Sequence, residues 1–288
     1  MSALVQISDT HFGTEQPIVV EALLQLVAAV RPELVVLSGD VTQRARRHQF
    51  AAARIFCDNL QTPSLLTLPG NHDIPLFNFA ARLFSPYGNY RRAFGFELEP
   101  YYESREFLVI GVNTTRPHRH VDGEISDEQV RRVAGQLAAG PADRICIVVT
   151  HQPVHVIKDK DEKNVLRGNE PAVRAWAAAG ADVIMGGHIH LPYVRPLSER
   201  FSDLPRRVWA VQAGTAVSCR VRHSAPNSVN VVRRMRQQPL TYAAERWDYN
   251  AERTQFLLVD TQLLELDRSD QTRAATHRTA WEGSSGAS

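Results

Sequence analysis

The chain has 288 residues, 33 of them basic and 31 acidic, for a net charge of +2. With 43% hydrophobic and 22% charged residues, it has globular composition and enough length to bury a core without disulfides. No run approaches the ~18 apolar residues of a membrane span, and so small a net charge does not itself demand a nucleic-acid or membrane partner.

The opening residues, Met1 to Asp9, read as a strand with no basic n-region or cleavage site, so no secretory signal is expected. Ala3–Ile7 is its apolar part. Ile18–Val30 carries Leu23, Leu26, Val27 and Val30 at helical spacing, and Arg31-Pro32 closes that helix. Leu34–Leu37 is a continuous apolar strand, Phe50–Leu60 a second helix and Ser64–Leu68 a third strand. Phe107–Val112, Ile145–Thr150 and Ala181–Met185 repeat the pattern, with helices over Ser126–Leu137 and Glu170–Ala179 between them. Ser126 and Gln129 form a capping-box pattern. Continuous apolar strands imply a sheet covered on both faces. After Tyr193 the pattern turns to strands alone, at Val208–Gln212, Ser228–Val232, Leu240–Trp247 and Gln255–Val259. Two packed sheets with helices outside are the expected arrangement, built from residues 1–265. Residues 266–288 are small and polar and read as a disordered tail. Cys57, Cys146 and Cys219 are odd in number and far apart. Cys57 and Cys146 lie in apolar stretches and read as buried thiols, which fits a reducing, cytoplasmic setting.

The chemistry-bearing residues follow the apolar strands. Asp9 and His11 follow the first, Gly39-Asp40 the second, and Gly70-Asn71-His72-Asp73 the third. Thr150-His151 and Gly187-His188-Ile189-His190 follow two later ones. In open α/β sheets, ligands bind beyond the carboxyl ends of the strands. Without His72 and Asp73, the set holds two Asp, one Asn and four His, too many for one tetrahedral site. It suits two ions ~3.5–4 Å apart bridged by a carboxylate. A lone Gly-Asp or Thr-His is an ordinary turn; the ordered recurrence after strands is what carries the signal.

In these five blocks the sequence resembles the calcineurin-like metallophosphoesterase superfamily, from about Ala3 to Val259. The fourth block has Thr150 where Gly is common. The resemblance implies an α/β fold, a four-layer α-β-β-α sandwich of two mixed sheets flanked by helices. It also implies roles. Asp9, His11 and His190 would hold one metal, Asn71, His151 and His188 a second, and Asp40 would bridge both. His72 would serve the leaving oxygen as general acid or transition-state stabiliser, with Asp73 orienting its ring. The cofactors would be two divalent transition-metal ions, Mn or Fe foremost, with Zn, Co or Ni also accepted by such ligands.

The whole-chain pattern is similar to the class III, cyclic-nucleotide phosphodiesterase-like branch, on residues 7–12, 38–42 and 113–125. The expected reaction is hydrolysis of a small phosphodiester, cyclic nucleotides foremost, by metal-activated hydroxide. A phosphomonoesterase, a pyrophosphohydrolase of nucleotide-sugar lipids and a nuclease are the alternatives within that chemistry, and a non-catalytic binding module is the alternative outside it. Arg116, His118 and His120 sit in a loop that could overhang the metals and contact phosphate. Arg44, Arg46 and Arg47 could form a basic rim at a helix start. Arg220, Arg222 and the 233–236 run add positive charge late in the chain, but few aromatics interleave them, so nucleic acid is the weaker partner. Phe77, Phe79, Phe84, Tyr87 and Tyr90 form an aromatic insertion that reads as core or cap, or else as a wall for an apolar or nucleobase group. A dimer is compatible with the late strands.

Overall fold

The computed structural model describes residues 2–267 except 142, 223, 224, 236, 237 and 239. The first unit runs β1 (Ala3–Ile7), α1 (Pro17–Val30), β2 (Leu34–Ser38), α2 (Arg47–Asn59) and β3 (Leu65–Leu68). Two short helices follow, α3 (Phe79–Phe84) and α4 (Gly88–Phe94), and then the edge strand β4 (Tyr101–Glu103). The second unit is β5 (Phe107–Gly111), α5 (Asp127–Ala139), β6 (Ile145–Val149), α6 (Asn169–Ala179) and β7 (Val183–Gly186). The chain finishes in strands, β8 (Tyr193–Pro196), β9 (Trp209–Gln212), β10 (Ser228–Arg234), β11 (Thr241–Asn250) and β12 (Gln255–Glu265).

These strands form two six-stranded sheets, ordered β12-β11-β10-β1-β2-β3 and β4-β5-β6-β7-β9-β8. Both are mixed. β1, β2 and β3 run parallel, as do β5, β6, β7 and β9, while β10 to β12, β4 and β8 pair antiparallel. Strand alternation sorts the apolar side chains into three cores. Val5, Ile7, Val35 and Leu37 meet α1 and α2 on one outer face. Leu108, Ile110, Val148 and Ile184 meet α5 and α6 on the other, around the fully buried Trp176. Leu4, Leu34, Val36, Val109, Ile147 and Met185 fill the layer between the sheets. The expected four-layer sandwich is therefore the architecture. Its inner strands are buried on both faces, which is why they read as unbroken apolar runs.

Local signals set the helix ends. Pro17 opens α1, and Arg31, in a left-handed conformation at φ 49°, closes it before Pro32. Ser126 and Gln129 form the expected capping box of α5. α2 starts at Arg47 with Arg46 as its N-cap, so Arg44 and Arg46 precede the helix. The aromatic insertion divides: Tyr87 and Tyr90 are buried, whereas Phe77, Phe79 and Phe84 are exposed. β4 and β8 are edge strands of three and four residues with partly solvated side chains. β11 and β12 extend well beyond the apolar runs that mark them, because main-chain pairing carries the hairpin outward after burial ends. The polar tail expected from residue 266 lies outside the described residues beyond Asp267. Among the described residues, no helix is long and apolar enough to cross a membrane.

Cys57 and Cys146 are buried and Cys219 is exposed, with no disulfide among them. Burial pushes the Cys57 thiol up to about 12, which suppresses the reactive thiolate. One thiol per chain, Cys219, is therefore expected to react quickly with a disulfide reagent in the folded protein, and all three after unfolding. A second fast thiol in the native state would contradict this burial.

Candidate metal centre

The two parallel strand sets end at the same edge of the sandwich and deliver five polar segments to one place. Backbone bonds lock the segments together. Asp9 N–H donates to Gly39 O (3.0 Å), His11 N–H to Asp40 O (2.9 Å) and Gly187 N–H to His151 O (2.8 Å). Across the two sheets, His188 N–H donates to Asp9 Oδ2 (2.9 Å) and the His151 ring Nδ1 lies 3.0 Å from Ser38 O. Asp9, His11, Asp40, His188 and His190 all have positive φ, between 44° and 72°. Non-glycine residues in that region carry local strain that the surrounding structure must hold, and such strain clusters at functional sites. Gly39 (φ +96°) must stay without a side chain, because a Cβ there would collide with the His151 ring.

Three overlapping groups result, Asp9–His11–His190, His11–Asp40–His72 and Asp40–His151–His188, each with ligand atoms within 4.8 Å of one another. His190 Nε2 lies 3.2 Å from Asp9 Oδ1, and His151 Nε2 lies 3.3 Å from Asp40 Oδ1. His11 Nε2 stands 3.7 Å from Asp40 Oδ2 and 3.8 Å from Asp9 Oδ1. Asn71 Oδ1 is 3.3 Å from His151 Nε2. The structure thus brings together all seven residues expected as ligands, with Asp40 common to two groups. Backbone carbonyls hold the outer ring nitrogens, Ser38 O for His151 and Arg220 O for His190 (2.8 Å). This fixes the tautomer and leaves Nε2 facing inward. His188 Nδ1 is buried without a hydrogen-bond partner, which is costly for a polar atom unless something else coordinates it.

Electrostatics divides the imidazoles. Burial would raise the Asp9 carboxyl, but His190 outweighs it and Asp9 is lowered to about 2. Burial acts the same way on Asp40, where His151 and His72 hold the carboxyl well below its ordinary range. Burial lowers His11 to about 3 and, with the His151 charge, His188 to about 4. His151 is instead raised to about 9, and His190 is raised as well, because Asp40 and Asp9 respectively outweigh desolvation.

His72 reaches the cluster, but not in the way expected. Its Nδ1 lies 2.9 Å from the Gln43 carbonyl, which orients the ring. Asp73 does not. The Asp73 carboxylate accepts from Val41 N (3.0 Å), Thr42 N (2.8 Å), Thr42 Oγ1 (2.8 Å) and Gly70 N (2.9 Å). Its capacity is spent on pinning the Asp40 turn to the Asn71 turn, so it is a positioning residue. Burial and the Asp40 charge push it up to about 6 despite those donors.

The loop residues differ from expectation too. The Arg116 guanidinium is held by Asn113 O (3.0 Å) and Thr115 O (2.9 Å) of its own loop and by Gln129 Oε1 (2.6 Å) of α5. That geometry corrects the expectation of a phosphate contact from this side chain. His118 and His120 are exposed, and the loop meets the cluster through the His120 carbonyl, which accepts from Asn71 Nδ2 (3.2 Å). The basic side chain at the cluster is Arg220. Its Nη1 lies 3.0 Å from Gln43 Oε1, 3.3 Å from His72 Nε2 and 3.4 Å from His11 Nδ1. Spacing gives no hint of this placement, because Arg220 arrives from the connection between β9 and β10. Arg222 is committed elsewhere, to Asp161 (2.9 Å) and the Ile189 carbonyl (3.1 Å), and so braces the His188–His190 turn. Arg233 and Arg234 are paired with Glu245 and Glu106.

The sequence profile of the calcineurin-like phosphoesterases matches residues 3–192. The chain belongs to this family. Membership places it among metal-dependent phosphoesterases, and the Asp, Asn and His donors assembled here suit borderline divalent metals. A probable cyclic nucleotide phosphodiesterase from Rhodococcus erythropolis is 24% identical over 200 residues, which cover 65% of this chain and 64% of that protein. A purple acid phosphatase from yellow lupin (Lupinus luteus) seeds shares the fold, with a TM-score of 0.70 and 12% identity over 93% of this chain and 54% of that one. A dimetal phosphatase from Danio rerio matches with a TM-score of 0.63 and 12% identity, over 92% of this chain and 99% of that one.

Replacing Asp73 with Asn keeps its size but turns an amide NH2 toward backbone donors. Asp73→Asn is expected to cost about 1–3 kcal/mol, the range for an unsatisfied buried polar group. Denaturant unfolding measures it; unchanged stability would remove Asp73 as the pin of these turns.

Proposed function

We propose that the protein is a binuclear-metal-dependent phosphodiesterase acting on small phosphodiesters, with cyclic nucleotides foremost. The observation that carries this reading is the shared Asp40 carboxylate between two buried imidazole–carboxylate groups. Asp9, His11 and His190 would hold one cation, Asn71, His151 and His188 the other, and Asp40 would join them. Two bound cations supply charge that offsets a phosphoryl group and bring the pKa of a water from 15.7 toward ~7. Mn and Fe are the favoured ions, with Zn, Co and Ni accepted by the same donors.

The chain's own residues do the rest. Gln43 O accepts from His72 Nδ1–H, so Nε2 faces the cluster, where the imidazolium form of the ring would donate its Nε2 proton to the leaving oxygen. Arg220, 3.3 Å from that nitrogen, presents fixed positive charge and N–H donors to a phosphoryl oxygen. A single guanidinium matches the single charge of a phosphodiester. The name of the Rhodococcus relative supports the same class. The pairing of Arg233 with Glu245 and of Arg234 with Glu106 removes two of the cations a nuclease groove would use. The buried thiols and the lack of a membrane-spanning helix among the described residues fit a cytoplasmic enzyme.

The test is hydrolysis of bis(p-nitrophenyl) phosphate, then of cyclic nucleotides, by protein stripped of metal and refilled with Mn. His188→Ala and Asn71→Ala are expected to lower bound metal and abolish most turnover. His72→Ala is expected to retain metal and slow the chemical step by ~10²–10³. Arg220→Ala is expected to retain metal and lower kcat/KM by ~10-fold or more, the range for a lost charged hydrogen bond. Full turnover in His188→Ala would overturn the assignment.

Metal loading has its own pH signature. His151, raised to about 9, is cationic at pH 7 in the metal-free chain and must lose its proton to coordinate. Loading at pH 7 is therefore expected to release at least one proton per chain, and affinity should rise with pH up to about 9. The dependence of calorimetric binding heat on buffer ionisation measures the release, and none would contradict a protonated His151 in the metal-free chain.

A further inference from the structure

The excursion between Asp73 and β4 joins an acid-free, Arg-bearing sequence to a group of exposed apolar side chains. Residues 74–96 contain no Asp or Glu and three Arg, in a chain whose 33 basic and 31 acidic residues nearly balance. The facing segment, residues 41–57, also lacks acids and carries Arg44, Arg46 and Arg47, with Arg54 paired to Asp58. Phe77, Phe79, Leu83, Phe84 and Phe96 are between 73% and 84% exposed. Large apolar side chains scattered singly are normal, but a cluster at this exposure marks an interaction surface.

The surface is held in place. Arg82 donates to Pro75 O (3.1 Å) and Arg119 O (2.7 Å), Tyr87 Oη lies 2.8 Å from Thr115 Oγ1, and Asn89 donates to Ala45 O (2.9 Å). Arg44 sits over the Phe77 ring, 5.5 Å from its centre. A cavity of about 240 Å³ opens among Arg44, Pro75, Phe77 and Ala81. A second, of about 230 Å³, lies among Arg47, Phe50, Arg92 and Ala93. Each joins guanidinium groups to apolar walls.

We propose that this face docks the protein on a membrane surface bearing anionic lipid. Exposed Phe and Leu without polar tips, set among arginines, are the chemistry of a chain that lies in the headgroup boundary. The paired Arg and apolar cavity walls suit a phospholipid headgroup with the start of its acyl chains. A second copy of the chain fits poorly, since a two-fold contact would bring each Arg-rich face against itself. The Arg119–His120 loop links this face to Asn71 of the metal cluster, so docking would turn the mouth of the site toward phosphoesters at the membrane.

Co-sedimentation of the full chain with phosphatidylcholine vesicles, with and without phosphatidylglycerol, tests the proposal. Binding is expected to the anionic vesicles, weakening as salt rises. The combined Phe79→Ser, Leu83→Ser, Phe84→Ser variant should lose about tenfold or more of that binding, and Arg91→Gln with Arg92→Gln should lose the preference for anionic lipid. Both should keep the parent melting temperature and rate on a soluble aryl diester, because these side chains are exposed and outside the metal cluster. No binding to anionic vesicles, or binding unchanged in the triple variant, overturns the proposal. So does loss in that variant of a dimer seen by sedimentation velocity, or of single-stranded oligonucleotide binding without vesicle binding. Vesicle binding is read equally well on the metal-free chain, so its failure stands apart from any failure of the phosphodiesterase reading.

Discussion

Asp40 is a buried carboxylate at the seam between two sheets, and the architecture around it is arranged to keep it charged. An ionised carboxyl in such a place is unfavourable unless paired and hydrogen-bonded. Its Oδ1 accepts the His72 N–H (2.8 Å) and faces His151, while Oδ2 faces His11. His72 and Asn71 come from the turn after β3, His11 from the turn after β1 and His151 from the turn after β6. Charge compensation at one atom pair thus depends on correct packing of three strands from both sheets. The site is a consequence of the sandwich closing, and none of its segments could hold the carboxylate alone.

Beneath the cluster, polar side chains replace the apolar packing that fills the rest of the central layer. Gln6 Nε2 donates to Ser38 Oγ (3.1 Å) and Gly186 O (3.0 Å), and Asn230 Nδ2 donates to Gln6 Oε1 (3.0 Å) and Gln212 O (3.2 Å). These bonds join β1 to β2, β7 and β10, and β10 to β9. A buried network of this kind is stabilising only when its members are satisfied, and it then fixes geometry more narrowly than apolar contact does. It also accounts for how five proposed ligand positions can sit at positive φ. The strain at each turn, about 1–3 kcal/mol, is offset by strands that hold both ends of the turn in register.

The sequence disclosed whatever depended on strand ends and local periodicity. Asp9, Asp40, His151 and His188 each follow a doubly buried strand, Asn71 follows the half-buried edge strand β3, and all five strands are readable as short apolar runs. Ser126 and Gln129 were equally legible, because a capping box spans four residues. The roles of Asp73 and Arg220 were not. Asp73 bonds to backbone amides 31 and 32 positions away, and no side-chain pattern records an amide. Arg220 reaches His72 and His11 only because β10 lies antiparallel beside β1, a pairing that neither strand's composition specifies. The edge strands β4 and β8 and the outer half of the β11–β12 hairpin were hidden for the opposite reason. They are held by main-chain pairing with half-solvated side chains, so hydrophobicity marks them weakly.

The arginines around the site are of two kinds. Arg82, Arg116 and Arg222 turn inward and bind carbonyls or a carboxylate, acting as cross-links for the loops that frame the site. Each satisfies backbone groups that a loop leaves unpaired, which is how irregular segments are held without strands or helices. Arg220 does both jobs. Its backbone carbonyl fixes His190, while its guanidinium lies among Gln43, His72 and His11. One residue therefore couples the orientation of a proposed metal ligand to the placement of the positive charge beside His72. A shift in the connection between β9 and β10 would move both together, so that loop's packing sets the site as directly as any ligand does.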